Sequence, residues 1–327
     1  RNLRSQYVIP STLISIQHCK IYAIASGAGG IIVSCSDMST NGLWLNDHLV
    51  HRCSVILLDG DIIRFPNGKA FRCFHLTKTF REKSTIFDPT PPSEPSCMAF
   101  GAYTILSHCL GTGGFATVHL AIDTANHRQV ACKVIKSKNG RRDFGTLLKE
   151  VRILAKVRHP NINSVVDIVH PSVESPFLKI FLQLCTGGDL FSFIVSHADK
   201  GQRMHPREAQ FIMYQILQAL KYLHDREICH RGTFCGPENV LLFAPGHYPR
   251  IQLADFGLAR AHAYQSTLNA CGTVSYLPPE GILALDQPSF KYVGKPSDCW
   301  SACVIFPYPF LWHRWASKTN EDSRVGA

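Results

Sequence analysis

Two hydrophobic rhythms divide the chain. In its first third, short apolar runs such as KIYAI (20–24), GIIVS (30–34), SVILL (54–58), DIIRF (61–65) and AFRCFHL (70–76) are separated by Gly, Asn and Asp. Runs of this length, rich in β-branched and aromatic residues and bounded by turn formers, predict strands. Residues 88–96, DPTPPSEPS, hold four prolines and no aliphatic side chain, which predicts a linker. Beyond it, AYTIL (102–106), TVHLAI (117–122) and VACKVI (130–135) again read as strands. EVRILAKV (150–157) and PREAQFIMYQILQALKYLHD (206–225) instead repeat apolar residues at three- and four-residue spacing, the period of a helix with one buried face. No internal repeat at a fixed period is present. The pattern predicts an all-β module, a Pro-rich linker and an α+β domain.

Composition narrows the class. Hydrophobic residues make up 45% of the 327 and charged residues 18%, so both parts are expected to fold around cores. The net charge of +10 is spread along the chain without a run of like charges. That suits solubility, or attraction to phosphate groups; no groove-reading motif accompanies it, so direct nucleic-acid binding is not expected. Thirteen cysteines, an odd number without CxxC pairs, argue against a disulfide framework or zinc ribbon and for a reducing compartment, nuclear or cytoplasmic. Cys299 and Cys303, four apart with no partnering His pair, read as core thiols. The longest apolar run, CWSACVIFPYPFLW (299–312), is too short to span a bilayer and holds two prolines, so no membrane association is expected. The chain begins at Arg1 rather than Met and is read as a fragment.

In the first module, SDMSTNGLWLN (36–46) is a polar turn flanked by strands. Its hydroxyls, amides and flexible Gly42 suit contact with phosphate oxygens, although most Asn-Gly turns only reverse a chain. More specific is the order Arg1-Asn2, Ser15 to His18, Asp37-x-Ser-Thr-Asn-Gly, Asn46 and Leu57-Leu-Asp-Gly-Asp-x-Ile63. This order resembles the forkhead-associated (FHA) domain, a β-sandwich that binds phosphothreonine peptides. The resemblance implies that Arg1 and Ser15 contact the phosphate with Thr40 beside them. Asn41 would hold the peptide backbone, and His18 would brace the loops. An Arg with hydroxyls suits a dianion because charge-assisted hydrogen bonds are roughly twice as strong as neutral ones. The first strands of the sandwich are expected to be missing.

In the second domain, LGTGGFATVHLA (110–121) sets Gly111 and Gly113 in a turn between strands, where backbone N–H groups can approach phosphates. Lys133 of VACK alternates with apolar neighbours on the next strand and needs a partner, for which Glu150 is the candidate. RHPNI (158–162), FLQLCTGGDLFSFI (181–194), YLHDREICHR (222–231), PEN (237–239), ADFGLAR (254–260), CGTVSYLPPEG (271–281) and SDCWSA (297–302) follow in order. Together they resemble the protein kinase family. The resemblance implies a bilobal α+β fold that uses ATP and Mg²⁺. Gly111, Gly113, Phe115, Val118 and Ala131 would cover the nucleotide, and Lys133 would bind its phosphates and pair with Glu150. Leu182 would be the gatekeeper, Gln183 to Cys185 the hinge, and Leu241 the floor under adenine. Asp189 would lie near the ribose and substrate. His230 and Arg231 would open the catalytic loop, Asn239 and Asp255 would hold Mg²⁺, and Thr273 would face substrate. Ser266 or Thr267 could be phosphosites.

An FHA domain followed by such a kinase resembles the DNA-damage checkpoint effector serine/threonine kinases of the calmodulin-dependent-kinase-like group. Phosphothreonine-containing proteins, protein substrates and self-association are the partners that this resemblance implies. The expected layout is an FHA domain at 1–79, a linker at 80–101, a kinase N-lobe at 102–186 and an incomplete C-lobe at 187–327.

One departure bears on activity. The family pattern H-R-D-x-x-x-x-N places an Asp after Arg231, where this chain has Gly232, and the spacing to Asn239 is two residues too long. Counted back from Asn239, the place of the Asp holds Phe234 and that of the following Lys holds Gly236. Pro307 and Pro309 break the helix expected after SDCWSA, and the last C-lobe helices are expected to be absent. Three readings follow. The chain is a serine/threonine kinase whose loop and ends carry the marks of misjudged exon boundaries, or a pseudokinase without its base, or a phosphopeptide-binding scaffold. The first is preferred.

Overall fold

The computed structural model describes residues 7–25, 30–75, 98–112, 116–135, 154–171, 177–199, 204–230, 236–254, 278–286 and 294–305, with positions 148, 151, 152, 260, 261 and 276 besides. They fall into two compact units. One comprises Arg1–Lys136 and Ile168–Thr186, the other Ser137–Asp167 and Gly187–Ala327.

The first unit begins with two antiparallel sheets. β1 (Cys19–Ala25), β2 (Ile31–Asp37) and β5 (Ser54–Ile56) form one; β3 (Leu43–Leu45), β4 (His48–Val50), β6 (Ile62–Arg64) and β7 (Ala70–Arg72) form the other, in the order β4-β3-β6-β7. Alternating side chains turn Cys35, Leu43, Leu45, Val50, Val55, Leu57, Ile63 and Phe65 into a common core. The sequence reading treats 36–46 as a single polar turn between strands. The structure instead places β3 inside that stretch and pairs it with β4 through Asn46 and Asp47. Both have positive φ (47° and 71°), the signature of a tight two-residue hairpin turn. Gly42, just before β3, has φ +74°, and a Cβ there would stand 2.8 Å from the Val50 carbonyl oxygen. No other residue fits without moving the hairpin.

Apart from Val165–Asp167, the same unit contains a six-stranded sheet ordered β12-β13-β11-β10-β9-β8. Its strands are β8 (Met98–Phe100), β9 (Tyr103–Thr112), β10 (Ala116–Asp123), β11 (Arg128–Ile135), β12 (Val165–Val169) and β13 (Leu178–Gln183). β8 corrects the expected linker boundary at residue 101: Met98 pairs with Ile105 and Phe100 with Tyr103. The Lys179 ammonium lies 3.6 Å from the Phe100 ring centroid, a cation–π contact that fixes this edge. The Pro-rich stretch 88–96 lies outside the described residues.

The second unit holds α1 (Leu190–Asp199), α2 (Pro206–His224), β14 (Ile228–Cys229), a 3₁₀ turn (Pro237–Asn239), β15 (Val240–Leu242), β16 (Ile251–Leu253), β17 (Arg260–Ala261), α3 (Pro279–Asp286) and α4 (Gly294–Ile305). α2 matches the helix read at 206–225. Pro206 occupies its first turn, where the missing N–H costs nothing, and the His205 side chain accepts from Arg207 N. Ala209, Ile212, Ile216, Ala219, Leu220 and Leu223 bury one stripe of it. On α4, Asp298, Ser301, Ala302 and Ile305 turn inward. At about 100° per residue this directs Cys299 and Cys303 outward, and both are exposed rather than core thiols. Pro307 and Pro309 lie outside the described residues.

Candidate phosphopeptide and nucleotide sites

In the first β module the polar loops are joined through buried His18. Its Nδ1 accepts from Ser15 N (3.2 Å), which leaves the proton on Nε2 to donate to the Gly42 carbonyl (3.0 Å). The brace expected of His18 is thus present. Ser15 Oγ accepts from Thr40 N at 3.2 Å, so two of the residues assigned to phosphate are adjacent. Asn41 Nδ2 donates to the Leu13 carbonyl at 3.1 Å, tying this group to the preceding loop. Beneath them the buried Asp37 carboxylate accepts from Ser39 Oγ (2.7 Å) and Arg52 N (2.7 Å), and Ser39 Oγ accepts from Gly42 N (2.7 Å). Asn46 donates to Asp61 (2.6 Å) and accepts from Ile62 N (2.8 Å). These bonds hold Ser15 and Thr40 in place at the protein surface, as an anion-binding loop requires. Arg1 lies outside the described residues.

In the six-stranded sheet, antiparallel registers set the candidate nucleotide residues on one face. Val118 pairs with Lys133, Leu120 with Ala131, and Ala131 with Leu182. Side chains two apart share a face, so Val118, Ala131, Lys133 and Leu182 project together. The apolar trio suits a flat base, and Lys133 suits phosphates. A Cβ on Gly111 would meet no atom within 4 Å, so the backbone there is open to approach. Gln183 ends β13, and half-buried Cys185 follows it. Gly113, Phe115 and Glu150 lie outside the described residues.

In the second unit, β15 and β16 form a hairpin in which Leu241 pairs with Gln252. Asn239 O accepts from Ala254 N at 2.9 Å, which sets Asn239 beside the residue preceding Asp255. Buried His230 donates through Nε2 to the Ala254 carbonyl (3.0 Å) and through its backbone N–H to Asp298 Oδ2 (2.9 Å). His224 Nε2 donates to the same oxygen at 2.9 Å. Asp298 therefore anchors the segment that begins at His230 to α4. The sequence reading gave it no role, although an acid among the inward positions of a helix signals a buried partner. Asp189 accepts from Ser192 N (2.8 Å) and Ser192 Oγ (2.9 Å), capping α1. Leu241 forms a bridge with Asp189, and Gly187 approaches the hairpin so closely that a Cβ would lie 2.7 Å from Leu242 Cβ. Burial pushes the Glu238 carboxyl above its usual range, and nearby Asp189 adds to this. Arg231, residues 232–235, Asp255, Ser266, Thr267 and Thr273 lie outside the described residues.

Comparison with known proteins finds two families along the chain. The family model for the protein kinase domain matches residues 104–324, and that for the FHA domain matches residues 1–66. The probable serine/threonine-protein kinase fhkC of Dictyostelium discoideum is 31% identical over 91% of this chain and 48% of its own length. The meiosis-specific serine/threonine-protein kinase mek1 of Schizosaccharomyces pombe is 33% identical over 93% of this chain and 66% of its own. The serine/threonine-protein kinase RAD53 of Saccharomyces cerevisiae is 28% identical over 82% of this chain and 35% of its own. The chain thus spans between a third and two thirds of these relatives. With a kinase-domain match over more than half its residues and an FHA domain ahead of it, this chain belongs to the protein kinase family, among the FHA-containing serine/threonine kinases.

Proposed function

We propose that this protein is a serine/threonine kinase of the DNA-damage checkpoint type, recruited to phosphothreonine-bearing partners by its FHA domain. The observation that carries the kinase assignment is the shared face of Val118, Ala131, Lys133 and Leu182, together with the hairpin that holds Asn239 next to Ala254. Adenine would lie against the apolar trio, and Lys133 would hold phosphate oxygens. Asn239 and Asp255 would hold the divalent cation, Mg²⁺ in this reading, and when bound it would neutralise charge on those oxygens. A protein hydroxyl would then attack the terminal phosphorus, the bond from that phosphorus to the bridging oxygen would break so that ADP leaves, and the hydroxyl proton must be accepted. Ser15 and Thr40 support the phosphothreonine assignment by lying together on the FHA surface. Substrates are proteins, and bringing several chains to one phosphorylated partner would favour self-association. The place of action is nuclear or cytoplasmic. No helix among the described residues is long and apolar enough to cross a membrane.

A second reading, a nucleotide-binding pseudokinase or phosphopeptide scaffold, is favoured by one fact: neither Gly232 nor Phe234 can accept a proton. A positioned general base contributes roughly 10²–10⁴-fold. Replacing residues 232–236 by Asp-Leu-Lys restores family spacing, and γ-phosphate transfer to a peptide is expected to rise by about that factor. A rise confined to the replaced chain supports a kinase fold short of its base. No transfer from either chain, with ATP bound to both, favours the scaffold.

A further inference from the structure

Ile56 is 1% exposed, yet its side chain does not join the FHA core. It packs instead with Leu120 and Ala131 of the kinase sheet and with Leu184 just beyond β13, and Ile32, Leu58, Val118 and Leu182 pack against this same cluster. The contact is also clamped through polar groups. β5 is the outer strand of the sheet β1-β2-β5, so the Ile56 backbone faces away from β2. Gln129 of β11 takes both free groups: its Nε2 donates to Ile56 O (2.9 Å) and its Oε1 accepts from Ile56 N (2.8 Å). A side-chain amide that pairs this way with a strand edge replaces the neighbour the strand lacks. The rings of His48 and His127 stack at 5.3 Å on the same boundary. Gln129, Ala131 and Lys133 alternate along β11 and share one face. The FHA sandwich therefore covers the face that carries Val118, Ala131 and Leu182.

We infer that the FHA domain is a built-in competitor of the nucleotide: Ile32, Ile56 and Leu58 occupy the apolar surface that adenine requires. The inference rests on assigning Val118, Ala131 and Leu182 to nucleotide binding. One surface cannot be covered by both at once, so ATP binds only the fraction of molecules in which the FHA face has lifted. The apparent Kd is raised by the reciprocal of that fraction. Anything that draws the FHA domain away increases ATP occupancy, and ATP in turn loosens the FHA contact.

The test uses the full chain and titrates ATP with magnesium by calorimetry. Ile56→Asp sets a charge on the apolar contact, and Gln129→Ala, on the kinase strand, removes the clamp without touching the FHA core. Both are expected to tighten ATP binding about tenfold or more. In the parent chain, saturating ATP is expected to speed hydrogen exchange at the Ile56 amide. Equal ATP affinity in all three proteins, with Ile56 exchange unchanged by ATP, overturns the competition but leaves the nucleotide assignment standing. Absence of ATP binding in all three overturns that assignment and the competition with it. Should Ile56→Asp fail to fold, Gln129→Ala and the exchange measurement decide.

Discussion

Asp298→Ala is expected to destabilise the second unit by several kcal/mol. The carboxylate is 1% exposed and receives two hydrogen bonds on one oxygen, from His230 N and His224 Nε2, both at 2.9 Å. A hydrogen bond to a charged group contributes about 1.5–3 kcal/mol, and a donor stranded without a partner costs about 1–3 kcal/mol. The His230 N–H is buried and has no route to water, while the His224 side chain is partly exposed and can be rehydrated. The two losses overlap, so the expected total is about 3–5 kcal/mol. In a unit of this size each kcal/mol lowers the midpoint by about 2–4 °C, which gives a fall of roughly 6–20 °C. Asp298→Asn keeps a carbonyl oxygen that can accept both bonds and should lose less than half as much. The assay is thermal unfolding followed by circular dichroism, with protection of the His230 amide followed by hydrogen exchange. A midpoint for Asp298→Ala within about 2 °C of the parent would refute the anchoring role.

Other substitutions probe the remaining sites. Gly42→Ala forces a Cβ to 2.8 Å from Val50 O at φ +74°, and should cost about 1–3 kcal/mol of FHA stability while weakening phosphothreonine-peptide binding, read by calorimetry; unchanged stability and affinity would count against the hairpin geometry. Burial alone would raise the Asp123 carboxyl, but hydrogen bonds from Asn126 and Arg128 outweigh it and hold the group below its usual range. A depressed folded pKa stabilises above the unfolded value of about 3.9 and loses that contribution as pH falls through the folded value. The stability gap between the parent and Asp123→Asn, measured by urea unfolding, should be constant above about pH 5 and shrink below pH 4; a gap that widens on acidification contradicts the sign.

Much of this architecture can be read from local pattern, and the misses share a cause. β10, β11 and α2 are long enough for a period to appear, and their inward residues follow from it. β3 and β4, three residues each, are too short to alternate visibly. The Asn46-Asp47 pair between LWL and HLV is the local clue that could have revealed them. β8 was missed because Met98–Phe100 adjoins a Pro-rich stretch and is a strand only by pairing with β9. For the candidate sites, residue identities came from motif order, which strand register then groups on one face. The Gln129–Ile56 clamp joins residues 73 apart and leaves no periodic trace. Nor does sequence show that Asp189 spends both oxygens capping α1. Cys299 and Cys303 were misplaced because the rotation of α4 is set by what Asp298 must reach.

The RHPNI segment and the β15–β16 hairpin also set an order of assembly. Asn163 N donates to Leu253 O, Leu253 N donates to Asn161 O, and the Asn161 and Asn163 side chains reach Ile251 O and Gln252 Oε1 across 90 and 89 residues of chain. On a ribosome adding roughly 5–20 residues per second, those partners arrive about 5–20 seconds after the asparagines. Until then two polar side chains destined for burial remain solvated, and the hairpin that carries Asn239 has no seat. The closing of this clasp is a late, long-loop event. A nascent chain halted before residue 250 would already hold α1 and α2 while the β15–β16 hairpin was still unformed.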